Sequence, residues 1–96
     1  MSSYFIAQIN IIDPELYNEY LAGFDQVFAK YKGEVIIVDD NPIVLEGEWS
    51  FTRIVVIRFP STDEAKRWYE SSEYQLLAQY RHQASKADII LAKELD

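Results

Sequence analysis

The 96 residues include sixteen acidic and nine basic side chains, a formal charge of -7, and are 49% hydrophobic and 15% aromatic. Such an apolar chain is not a disordered one, and its negative field repels phosphate backbones and anionic lipid, so neither nucleic acid nor a membrane is an expected partner. Without cysteine there is no thiolate chemistry, and with no basic residue before Lys30 and no long apolar run the sequence predicts no signal peptide or membrane span, which makes the cytoplasm the expected location.

"YFIAQINII" alternates, with Phe5, Ala7, Ile9 and Ile11 on one face and Tyr4, Ile6, Gln8 and Asn10 on the other, as a strand does. "DPEL" starts a helix: Asp13 as N-cap accepts from orphan backbone N–H groups, and Pro14 sits at the first position, where it loses no hydrogen bond. Tyr17, Tyr20, Leu21, Phe24, Val27, Phe28 and Tyr31 then form one apolar stripe on a helix predicted to end near Gly33. "EVIIVDD" is a second strand, followed by the turn signal "DDNP" and by "IVLEGEW", a short arm reversing at Gly47.

"FTRIVVIRF" is the third strand. Ser61 and Glu64 read as a capping box opening a helix that turns Ala65, Trp68 and Tyr69 inward, and "SSEYQ" breaks it near Ser71 and begins further turns carrying Tyr74, Leu77, Tyr80 and Arg81. "ADIILAKEL" is the fourth strand. The order βαββαβ predicts an α+β fold over residues 1–96 as a single domain, a ferredoxin-like four-stranded antiparallel sheet with its helices on one face. Val35 and Ile37 against Ile36 and Val38, and Ile54 and Val56 against Val55 and Ile57, make strands apolar on both sides. A sheet open to water on one face normally alternates, so a second copy of the chain is expected to cover it.

The stretches "VLEGEW" and "RIVVIRFPSTDEAKRWYESSEYQ", with the arginine that follows, resemble the domain-of-unknown-function family 1330 of the dimeric α/β-barrel proteins. The resemblance spans essentially the whole chain and rests on Glu46-Gly47, Phe59-Pro60-Ser61, Trp68-Tyr69, Ser71 and Tyr74. It implies a ferredoxin-like protomer that pairs through its open sheet face. It implies no reaction, although the same barrel serves cofactor-free monooxygenases and isomerases.

His82 is the sole histidine, so a transition-metal site lacks ligands and none is expected, nor is any other cofactor. As a catalytic residue His82 is a weak candidate for proton acceptor. Arg53 and Arg58, five apart on one strand, point to opposite faces. Arg58 belongs at or near the surface between copies, and Arg53 belongs toward the helices, where it either pairs with Glu46 or Glu48 or holds a ligand carboxylate. Tyr20, Phe24, Trp68 and Tyr74 are candidate lining for a cleft between helices and sheet, with Arg53, Glu46 and Arg81 as charged candidates. Such a cleft suits a small apolar or aromatic carboxylate. The alternatives are a structural dimer module, whose same residues are core and ion pairs, and an enzyme of the cofactor-free monooxygenase or isomerase kind.

Overall fold

The computed structural model describes residues 1–96. In chain order it contains β1 (Ser3–Ile11), α1 (Pro14–Phe28), β2 (Glu34–Asp39), β3 (Arg53–Phe59), α2 (Thr62–Tyr69), α3 (Ser72–Ala84) and β4 (Ser85–Lys93). The strands form one sheet in the order β2-β3-β1-β4, and every neighbouring pair is antiparallel. Each crossover skips one strand, β1 to β2 over β3 and β3 to β4 over β1. This is the ferredoxin-like α+β arrangement expected from the order of elements. No helix is long and apolar enough to cross a membrane.

Local chemistry sets the boundaries. The Asp13 carboxylate accepts from the Leu16 N–H at 3.1 Å, and Pro14 opens α1. The Ser61 hydroxyl accepts from the Glu64 N–H at 3.1 Å. The reciprocal half of the expected capping box is not made, because the Glu64 carboxylate instead accepts from the Lys32 N–H at 3.0 Å and from Arg67 at 2.9 Å. Ser71 acts in two directions: its hydroxyl donates to the Trp68 carbonyl at 2.7 Å, closing α2, and accepts from the Tyr74 N–H at 3.2 Å, opening α3.

Phe5, Ala7 and Ile9 alternate inward along β1, beneath the buried Tyr17 and Tyr20 of α1. Trp68 has no exposed surface and is the hub of the core, with Phe59 stacked at 5.4 Å between ring centroids, Phe5 edge-on at 5.1 Å and Tyr74 at 4.3 Å. Gly33 allows this cluster to close. A side chain there would meet the Phe28 ring at 2.4 Å and the Phe59 ring at 2.7 Å.

Two expectations are corrected. The residues from Asn41 to Phe51 pair with no strand; the chain bends at Glu46 and at Gly47, whose φ of +82° favours glycine, and leaves Ile43 and Leu45 in solvent. In β2 a bulge between Val35 and Ile37 shifts the register, so Val35 opposes Ile57, whereas Ile37 opposes Val56 and Val38 opposes Val55. Val35 and Val38 therefore share the helix side, and they do not alternate with Ile36 as a regular strand predicts. On the other side of the sheet the registers align Ile37, Val56, Ile6 and Ile90 in one row across all four strands.

Candidate functional site

Away from the Trp68 cluster, the layer between helices and sheet is hollow. A cavity of about 80 Å³ is floored by Ala7 and Ile57 and walled by Tyr17, Tyr20 and Phe24 of α1. Ala7 explains part of the opening, since it is flanked by Val55 on β3 and Ile89 on β4, and its single methyl sits where Phe5 and Ile9 fill the space on either side. Leu21 and Val35, both partly solvent-exposed, form an apolar rim. Two arginines complete the lining: Arg53 at the start of β3 and Arg81 in the last turn of α3.

The two cations are treated differently. Arg53 forms a two-point ion pair with Asp40, Nε to Oδ1 at 2.6 Å and Nη2 to Oδ2 at 3.1 Å, and its guanidinium stands 5.5 Å from the centre of the Tyr17 ring. The hydrogen bond from Arg53 holds the Asp40 carboxyl below its ordinary range. Arg81 is 4% exposed, pairs with no carboxylate, and has no hydrogen-bond partner at Nε or Nη2. Its guanidinium carbon lies 5.8 Å from the centre of the Tyr20 ring. A buried guanidinium stays charged, so an uncompensated cation lines this cavity.

The phenols beside it stay protonated. Tyr20 and Tyr74 share a hydrogen bond of 2.8 Å between their hydroxyls. Burial raises the pKa of Tyr20 well above its ordinary value, with Tyr74 adding to the effect; burial likewise raises Tyr17 and Tyr74, partly offset by Arg53 and Arg81 respectively. No aspartate, glutamate or histidine is among the lining residues. The cavity can donate hydrogen bonds and attract negative charge, and it carries no carboxylate or imidazole base.

Tyr20, Phe24, Arg53 and Arg81 are thus brought together, and the other candidates are not. Trp68 and Tyr74 are buried in the packed cluster and are not lining residues, although Tyr74 touches the lining through the Tyr20 hydroxyl and lies beside Arg81. Glu46 is exposed and unpaired, as is Glu48, so the partner of Arg53 is Asp40 and neither of the glutamates expected. Those glutamates lie in the unpaired segment, whereas the sheet register carries Asp40 toward Arg53. His82 points outward from α3, where burial and the Arg81 charge lower its pKa, and Tyr80 is exposed where helical spacing placed it inward. Arg58 lies on the open side, paired with Glu34. Much of the lining escaped the sequence reading, notably Tyr17, one turn before Tyr20 on the same stripe, the small Ala7, and the rim residues Leu21 and Val35.

A family model described as "Domain of unknown function (DUF1330)" matches residues 2–95. The chain belongs to this family. Among solved structures it is similar to the RPA0582 protein of unknown function from Rhodopseudomonas palustris, with 16% identity over 99% of this chain and 83% of that one, and a TM-score of 0.80. It is also similar to SnoaB, a cofactor-independent oxygenase from Streptomyces nogalater, with 12% identity, coverage of 99% and 94%, and a TM-score of 0.70. A third is a dimeric protein of unknown function and ferredoxin-like fold from Bacteroides fragilis, with 11% identity, coverage of 97% and 96%, and a TM-score of 0.65. The likeness to these neighbours supports the ferredoxin-like fold, and at such identities it speaks to the fold alone. No curated protein matches the sequence.

Proposed function

We propose that the protein is a homodimer that binds a small apolar or aromatic carboxylate in the cavity between α1, α3 and the sheet, with Arg81 receiving the carboxylate. The observation that carries this reading is the solitary Arg81. Leaving a buried charge uncompensated costs several kcal/mol, and an anionic ligand recovers that cost when it binds. A planar guanidinium with two free donors suits a carboxylate's two oxygens. The volume holds the carboxylate and a few carbons, and a ring extends toward the rim at Leu21 and Val35.

Two-chain assembly is supported by the apolar row of Ile37, Val56, Ile6 and Ile90 on the uncovered face. Obligate interfaces of this kind bury on the order of 2,000 Å² or more. Sedimentation at micromolar protein is expected to give two chains, and a monomer that persists as concentration rises overturns the assembly.

Ligand binding is tested with benzoate and phenylacetate against benzamide and benzyl alcohol, which keep the ring and lose the charge. The acids should raise the melting temperature and the neutral compounds should not. Arg81→Met should weaken acid binding by about ten- to a hundredfold, the scale of one or two charge-assisted hydrogen bonds. Equal responses to benzoate and benzamide, or full benzoate affinity in Arg81→Met, would remove the basis of the proposal.

A further inference from the structure

We infer that Asp40 sets the charge of the ligand: by engaging Arg53 at both ends of its guanidinium fork, it leaves Arg81 as the only cation free to receive an anion, so the site accepts a monoanion and rejects a dianion of the same skeleton. This rests on the carboxylate-binding reading and goes beyond it in fixing the number of charges.

The charges around the cavity are few enough to count. Within the lining Arg53 and Arg81 are positive and the remaining polar groups are phenols; Asp40, outside the lining, supplies the one negative charge through its pair with Arg53. One positive charge is left over, and it is the deeper one. Arg81 is left with unpartnered donors and no counter-charge, whereas Arg53 already has its counter-charge in place. A second carboxylate on the ligand would meet Asp40 in front of Arg53. It would have to displace Asp40 or lie beside it unpaired, and like charges at close range are a means of exclusion.

The ion pair is fixed by the sheet. Asp39 opposes Ile54 in the β2–β3 ladder, so the next step brings Asp40 opposite Arg53 on the helix side. Asp39 is turned away and accepts from the Asn41 N–H at 2.9 Å. Glu34, the remaining acid of β2, is held by Arg58 on the other side of the sheet. Among these acids only Asp40 stands at the cavity mouth.

The test compares benzoate with isophthalate, which adds one carboxylate to the same ring, on the full chain by calorimetric titration. The wild-type protein should prefer benzoate by about tenfold or more, and Asp40→Asn should cut that preference by about tenfold by releasing Arg53 for the second carboxylate. Glu46→Gln makes the same change in net charge from the exposed, unpaired segment and should leave the preference intact. Since Asp39 could slip into the vacated place, Asp39→Asn/Asp40→Asn serves as the second variant and should lower the preference at least as far. Equal wild-type affinity for the two acids, or an unchanged preference in both the single and the double variant, overturns the role of Asp40. If benzoate binds through Arg81 and only the preference fails to move, the carboxylate reading survives alone. Failure of benzoate to bind overturns both.

Discussion

At one end of the layer between α1 and the sheet, Phe28, Phe59 and Trp68 interlock; at the other, Tyr17, Tyr20, Arg53 and Arg81 surround a hollow. The same helix and the same strands build both. The packed end places large rings around a glycine, Gly33, so that the backbone can close against them. At the hollow end a small residue, Ala7, lies beneath helix side chains whose polar tips need room. The packed end also satisfies its charges, as Glu64 is held by Arg67 and by a backbone N–H. The hollow end keeps one charge without a partner. Close packing is concentrated in the first region, and the proposed binding in the second.

The two ends should therefore answer substitution with opposite signs. Trp68→Ala removes the hub of the packed end and should cost about 3 to 5 kcal/mol, the usual range for a buried aromatic cut back to a methyl. Urea denaturation measures it, and a loss below about 1 kcal/mol would mean that this end is not the main store of stability. Arg81→Met replaces the unpaired charge by an apolar chain that matches the arginine stem and should stabilise the ligand-free protein by about 1 to 3 kcal/mol, as removal of buried ionic groups has done elsewhere. A destabilised Arg81→Met protein would assign the guanidinium a structural role and erase the contrast.

The smallest effect expected is a pH dependence at the packed end. Hydrogen bonds from Arg67 and from the Lys32 N–H lower the Glu64 pKa from 4.5 to about 2. Because the folded value lies below the unfolded one, the contribution is complete above about pH 4.5 and fades as pH falls toward 2. Exposure of Arg67 to solvent screens the pair, so the acid-labile part should be small and shrink with added salt. Glu64→Gln should flatten the melting temperature between pH 5 and pH 3 relative to wild type. Parallel curves for the two proteins would show that other carboxylates govern acid sensitivity.

Much of the fold was legible because its signals are local. Asp13-Pro14, Ser61 and Ser71 mark helix starts through side chains that bond two or three residues away, and the alternation of β1 states which face is buried. The two-sided apolar strands likewise announced an uncovered face. The cavity was less legible, since it depends on what does not meet. The helical position of Arg81 points it inward, but its lack of a counter-charge follows from where every acid lies in space. Asp40 was hidden twice, once by a turn signal that accounts for its residue type and once by a bulge that sequence does not reveal. Glu46 and Glu48 were nearer to Arg53 along the chain and form no ion pair with it. Tyr80 follows the spacing of the buried residues yet lies just beyond the edge of the covered stripe.

The bulge in β2 has a wider consequence for how the ion pair can persist. Removing the bulge and feeding one residue into the segment that follows would shift the distal part of the ladder by one place, exchanging the faces of Ile37 and Val38 and bringing Asp39 opposite Arg53. Both exchanged residues are aliphatic and both acids are aspartates, so the alternative register has nearly the same chemistry on each face. Strands with matched faces specify their register weakly. At most positions that is a hazard, but the doubled pattern of "VIIVDD" turns it into tolerance: a one-residue slip, whether thermal or inherited through a length change in the following segment, leaves an aspartate in front of Arg53.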